Sequence, residues 1–163
     1  MRRVTLLVCG DPLRGDDAVA AMIVDALPAS TLALVEVRHV GQLMPDDLLG
    51  ANGPLILVDA VEGPAPGEVV DMPLASLVDA HGAGISPASS HALPLPITMA
   101  IAQRLAGALP SGRFIGVAGA GYGIGAPLSP RVADAVPGCA ARLNHWIRVL
   151  AHEGHDSRSR TCA

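Results

Sequence analysis

The sequence predicts an α/β fold with a mainly parallel sheet and helices on both faces. Three observations carry this. Short apolar runs alternate along the chain with segments of helical periodicity. The runs at 4–9 and 55–61 are almost continuously apolar, as in strands covered on both sides. The length of 163 residues fits about one domain and is enough to bury a core without disulfide or metal staples.

Each element has its own signature. Residues 4–9 form a first strand. From Asp16 the period changes, and Val19, Met22, Ile23, Ala26 and Leu27 fall at helical spacing, with Asp16 or Asp17 placed to cap the start. Residues 34–40 alternate and contain three valines, a second strand. Residues 43–49 suit a short helix. The run 55–61 is interrupted only by Asp59 and is expected to be a central strand ending at that carboxylate. A further strand is expected near 67–72, after Pro64 and Pro66. Residues 80–92 are a Gly/Ser/Pro loop, 97–109 a helix, 113–119 the last strand, and 129–150 one or two final helices. The domain is expected to span 1–151, with 152–163, which lacks apolar periodicity, as a disordered tail. In such sheets ligands bind beyond the carboxyl ends of the strands, so function is sought just after residues 9, 40, 59 and 119.

Composition removes several classes of function. Eleven basic residues face fifteen acidic ones, a net charge of −4, and all eleven are Arg. Without lysine, Schiff-base chemistry and a P-loop lysine are excluded. One Trp, one Tyr and one Phe provide no stacking platform for single-stranded nucleic acid, and the acidity disfavours phosphate backbones. No run reaches the roughly 18 apolar residues that span a membrane. The apolar stretch after Arg2 and Arg3 runs directly into Asp11, with no small-residue cleavage site, so a cytoplasmic protein is expected. Cys9, Cys139 and Cys162 are widely spaced and odd in number, which fits a reducing compartment rather than a disulfide frame or zinc-thiolate site.

Several motifs are decoys. Gly10 and Gly15 have the spacing of a phosphate loop, but Asp16 and Asp17 stand where Lys and Ser/Thr are required. The run Gly121-Tyr122-Gly123-Ile124-Gly125-Ala126 matches G-x-G-x-x-A, yet no strand follows and no acidic residue stands at the ribose position, so it reads as a flexible loop. Ser89-Ser90-His91 has no nucleophile elbow. His152 and His155 are one residue short of the H-E-x-x-H spacing.

Polar residues at strand ends are more informative. Asp17 follows the first strand, Asp59 lies in the third, and His91 sits in the loop before the 97–109 helix. Each has a plain reading: a helix cap, a turn residue, a solvated histidine. Together they differ, because a carboxylate in an apolar strand is costly unless paired or metal-bound. Two carboxylates and an imidazole meeting in a crevice would neutralise a divalent cation and leave coordination positions open, an oxygen/nitrogen set suited to nickel or zinc.

At these residues the chain resembles the hydrogenase maturation endopeptidases, which process the large subunit of nickel–iron hydrogenases. The family motif G-[ND]-x-L-x-x-D-[DE] is matched by Gly10-Asp11-Pro12-Leu13-Arg14-Gly15-Asp16-Asp17. Its hydrophobic strand ending in D-A is matched by Leu55-Ile56-Leu57-Val58-Asp59-Ala60, followed by Pro66-Gly67-Glu68. H-x-x-[GP]-L is matched by His91-Ala92-Leu93-Pro94-Leu95, and L-[ST]-P-x-V by Leu128-Ser129-Pro130-Arg131-Val132. Gly41 matches a family glycine near the cleft, with a plain turn as the alternative. The order holds from about residue 4 to 150. Asp11 replaces the usual Asn, and Ala18 and Ala20 replace the glycines that usually follow the acidic pair.

The resemblance implies a three-layer α/β/α fold with about five strands, one of them antiparallel. It implies that Asp17, Asp59 and His91 occupy the family's metal-ligand positions. It implies an endopeptidase that removes the C-terminal extension of the nickel-loaded precursor of a hydrogenase large subunit. The nickel is carried by the substrate, and zinc or cadmium is expected to replace it in vitro. Asp16 is a candidate general base if it is not used as a cap. The alternative is a nickel-sensing checkpoint or chaperone that grips the loaded precursor without cutting it, suggested by the absence of a recognisable nucleophile–base pair. No nucleic-acid partner and no membrane insertion are expected.

Overall fold

The computed structural model describes residues 3–51, 53–62, 65–79, 86–87 and 93–159. Its sheet has the order β2-β1-β3-β6-β4, formed by β1 (Val4–Cys9), β2 (Val35–Gly41), β3 (Leu55–Glu62), β4 (Val69–Pro73) and β6 (Gly112–Ala118). The first four of these in space are parallel, and β4 runs antiparallel to β6 at the edge. A two-residue strand, β5 (Ser86–Pro87), pairs antiparallel with the end of β3. The expected mixed sheet with an antiparallel strand is therefore present.

Every residue of β1 is buried, as are all of β3 but its last, because helices cover both faces of the sheet. Alternation divides the core in two. Val4, Leu6, Val8, Ile56, Val58 and Ala60 face α1 (Val19–Asp25) and α5 (Pro130–Ser159). Leu7, Cys9, Leu55, Leu57 and Val61 face α3 (Pro45–Leu49), the 3-10 turn Leu74–Leu77 and α4 (Leu95–Ala106). A further single-turn helix, α2 (Ala29–Leu32), precedes β2. Gly107, with φ +82°, ends α4 where a side chain would be strained.

The stretch 129–150, expected as one or two helices, forms a single helix with Pro137 in its interior. Val132, Cys139, Leu143 and Ile147 dock on the sheet along that helix, and this packing outweighs the local break. The backbone also stays helical through Ser159, beyond residue 151, where a disordered tail was expected. A docked helix propagates by one hydrogen bond per residue, and no proline interrupts residues 152–159.

This topology places β1 and β3 side by side while their following segments diverge. The chain leaves β1 for β2 on one side and arrives at β3 on the other. The cleft beyond the carboxyl ends of β1 and β3 is thus the switch point of the sheet. The exposed edge is closed by Asp71 on β4. Its carboxylate accepts from the Arg113 guanidinium on β6, from Trp146 Nε1 at 3.0 Å and from Arg142 at 3.5 Å, both on α5. Arg113 also lies 4.1 Å over the Trp146 ring. Burial acts to raise the Asp71 pKa, but the bonds from Arg113 and Trp146 outweigh it and hold the carboxyl below its usual range. Asp71→Ala is expected to cost about 2 kcal/mol and to red-shift the emission of Trp146, the only tryptophan. Chemical denaturation followed by fluorescence checks both.

Candidate functional site

The turn after β1 is built on close backbone approach. Gly10 has φ +99°, and a Cβ there would lie 2.1 Å from the Asp17 carbonyl oxygen. Only glycine lets residues 10–17 fold back so that Asp17 returns to the strand end. Asp17 Oδ2 accepts from the Asp11 amide at 2.9 Å, and Asp11 Oδ1 accepts from the Leu13 amide at 2.9 Å. The Gly10 amide donates to the Gly41 carbonyl at 2.7 Å, and Gly41 adopts φ +59° where the β1–β2 register shifts. Gly41 therefore serves both as turn glycine and as the anchor of the turn that carries Asp17.

Neither acidic residue caps α1, contrary to the sequence reading. Residues 15–18 form a 3-10 turn, and Asp16 points inward, fully buried. Its carboxylate accepts four hydrogen bonds: from the amides of Ala120 (2.7 Å), Gly121 (2.9 Å) and Ser129 (2.6 Å), and from Ser129 Oγ (2.7 Å). The Asp16 amide donates in return to the Gly121 carbonyl at 2.8 Å. Burial acts to raise its pKa, but the four donors outweigh it and hold the carboxyl below its ordinary value. A carboxylate so satisfied binds protons poorly. It is a fastener between two loops.

Asp59 lies within β3, not at its end, because the strand continues by pairing with β6 through Val61 and with β5 at Val61 and Glu62. Alternation puts its side chain on the face of Leu57 and Val61. It is 6% exposed. Its register partner on β6 is Gly116, where the Phe114 ring occupies the space of a side chain and helps to exclude water. Among the described residues no cation forms an ion pair with it. Burial, followed by the charge of Asp17, raises its pKa to about 8, against a weaker opposing bond from the Ala60 amide. The like-charge pair inferred from sequence is present, but burial is the larger cause.

Other groups face the same cleft. The Cys9 thiol is pushed well up by burial and then by Asp59, Asp47 and Asp17, which leaves it un-ionised and inert. Tyr122 donates its hydroxyl to the Val61 carbonyl at 3.2 Å and covers Gly119. Burial and the charges of Glu62, Asp16, Asp17 and Asp59 push its pKa up to about 12. Sequence reading gave the 121–126 loop no role. Instead, Gly15 (φ +52°) leaves 2.5 Å between a would-be Cβ and the Gly121 carbonyl, and the Gly125 amide donates to the Leu13 carbonyl at 2.7 Å. The loop is held against the 10–17 turn. The only advance signal was a lone tyrosine among glycines at a strand end.

The structure thus brings Asp17 and Asp59 together, with Asp16 beside them as a fastener. His91 lies outside the described residues. Among the described residues no group of three or more His, Cys, Asp or Glu could by itself hold a metal ion.

Two stability measurements follow. Asp16→Ala is expected to cost about 3 kcal/mol or more, since it strands four donors. The depressed pKa means that Asp16 stabilises the fold above the ordinary carboxylate range, and that this is lost as pH falls through its folded value. For Asp59 the sign is opposite. Its folded pKa lies above the unfolded one, so wild-type stability declines as pH rises from about 4 to about 8. Asp59→Asn is expected to match or exceed wild-type stability at pH 8 and to lack that decline. Thermal melts from about pH 2 to about pH 9 read both.

No protein-family model matches the chain, and no curated protein matches it. Solved structures do. The NiFe hydrogenase maturation protease HybD from Thermococcus kodakarensis superposes with a TM-score of 0.66 at 22% identity, over 88% of this chain and 97% of that one. The hydrogenase maturating endopeptidase HybD from E. coli gives 0.66 at 24%, over 86% and 89%. The NiFe hydrogenase maturation protease HycI from Thermococcus kodakarensis KOD1 gives 0.61 at 20%, over 90% and 93%. The chain therefore has the fold of the hydrogenase maturation proteases, along nearly the whole length of each.

Proposed function

We propose that this protein is an endopeptidase that removes the C-terminal extension of the nickel-loaded precursor of a hydrogenase large subunit, in the cytoplasm. The observation that carries the reading is the meeting of Asp17 with the buried Asp59, its pKa near 8, at the switch point of a scaffold shared with maturation proteases. The order of the four motifs along the sequence supports it.

In this reading the metal is part of the substrate. Asp17 and Asp59, with His91, grip the nickel that the precursor carries, and Asp59 gives up its proton as the cation arrives. The grip fixes the adjoining peptide bond against the acidic floor of the cleft, and positioning of this kind supplies much of the rate. The metal polarises the scissile carbonyl or a water. The tight bonding of Asp16 keeps Asp17 in place while the precursor docks.

The test is incubation of purified protein with nickel-loaded precursor, read by mass spectrometry. Loss of the extension supports the reading. A stable complex with an intact extension points to a checkpoint that binds without cutting. His91→Ala is expected to abolish processing while shifting the melting temperature by no more than about 2 °C. Isothermal titration is expected to find weak binding of nickel, zinc or cadmium to the free protein, lost in Asp59→Ala; equal binding by both proteins counts against the site.

A further inference from the structure

Two apolar side chains stand out on the surface of the described residues. Leu13 is 69% exposed and Ile124 is 87% exposed. Single exposed apolar residues are ordinary. These two are not independent. They project from separate loops whose backbones are joined where the Gly125 amide donates to the Leu13 carbonyl at 2.7 Å. Both loops are held by the same buried carboxylate: Asp16 belongs to the turn that carries Leu13 and accepts from the amides of Ala120, Gly121 and Ser129 around Ile124. The Gly15–Gly121 backbone approach leaves no room for the loops to slide. An exposed side chain on a loop held this firmly loses little freedom when a partner covers it, which favours binding.

The pair is also continuous with the cleft. The Leu13 amide bonds to Asp11, and the Asp11 amide bonds to the carboxylate of Asp17. A polypeptide whose metal sits against Asp17 would lie beside this turn.

We propose that Leu13 and Ile124 form an apolar seat for the substrate protein, receiving an apolar side chain of the polypeptide segment that carries the metal. This rests on the endopeptidase reading and adds a specificity element to it. The acidic cleft reads the cation, and the seat reads the chain next to it. A metal complex without the apolar neighbour is gripped poorly, and free metal ion is indifferent to the seat.

The test compares wild type with Leu13→Ser, Ile124→Ser and the double variant, using nickel-loaded precursor. Both side chains contribute almost nothing to the core, so melting temperatures are expected to match wild type. Each single variant is expected to raise KM for precursor several-fold and the double variant at least tenfold, with kcat within about twofold and nickel binding by the free protein unchanged. Leu105→Ser, an equally exposed position on α4, is the control and is expected to change nothing. An unchanged KM in the double variant overturns the seat while leaving the endopeptidase reading intact. Failure of wild type to process precursor at all sinks that reading instead. Binding of precursor by non-cleaving wild type, weakened in the double variant, would still support the seat. Sedimentation provides the last arm: a wild-type dimer that dissociates in the double variant assigns these residues to a second copy of the chain and overturns the proposal.

Discussion

The carboxylate of Asp16 spans more than a hundred residues of sequence to bond Ala120, Gly121 and Ser129, and the architecture of the cleft depends on it. Loops at the carboxyl ends of parallel strands have no ladder to hold them. Here one buried anion supplies the missing partner for three amides and a hydroxyl. A buried carboxylate without donors would be strongly disfavoured; with four it becomes the most highly connected polar group at the site. The glycines around it are consequences. Gly10 and Gly15 permit backbone contacts at 2.1 and 2.5 Å from a would-be Cβ, so that the carboxylate reaches its donors and Asp17 turns back to the strand end.

Two buried acidic residues therefore have opposite chemistry. Asp16 is fully buried yet held below the ordinary carboxylate range, because donors surround it. Asp59 is almost as buried and raised to about 8, because its surroundings are apolar and its nearest charge is another carboxylate. Burial pushes both the same way; hydrogen bonding decides the sign. The fold carries the cost of burying Asp59 with little hydrogen bonding to offset it. The offset is supplied elsewhere, by two apolar layers and by the Asp71–Arg113–Trp146 contact that closes the antiparallel edge.

Two kinds of surface meet near the turn after β1. Asp17 stands near the buried Asp59, which burial and the charge of Asp17 hold largely protonated. Leu13 and Ile124 are exposed on two loops whose backbones are joined and which the Asp16 carboxylate ties together.

Local sequence determined much of this protein. Continuous apolar runs marked β1 and β3, helical spacing marked α1 and α4, and the same runs put Asp17 after β1 and Asp59 in β3. These features were legible because periodicity and strand order are properties of neighbouring residues. Tertiary structure decided the rest. Asp16 looked like a helix cap because the capping signature is local, whereas its actual donors lie beyond the last strand. Whether 129–150 was one helix or two was left open by the sequence; the docked face carries the helix through Pro137. Asp59 looked like a strand end, but the ladder to β6 continues through Val61 and that to β5 through Glu62. The glycine loop at 121–126 looked free because its fasteners, the Leu13 carbonyl and the Asp16 carboxylate, are distant in sequence. In each case the deciding partner was a long-range hydrogen bond or a packed face, which no local pattern encodes.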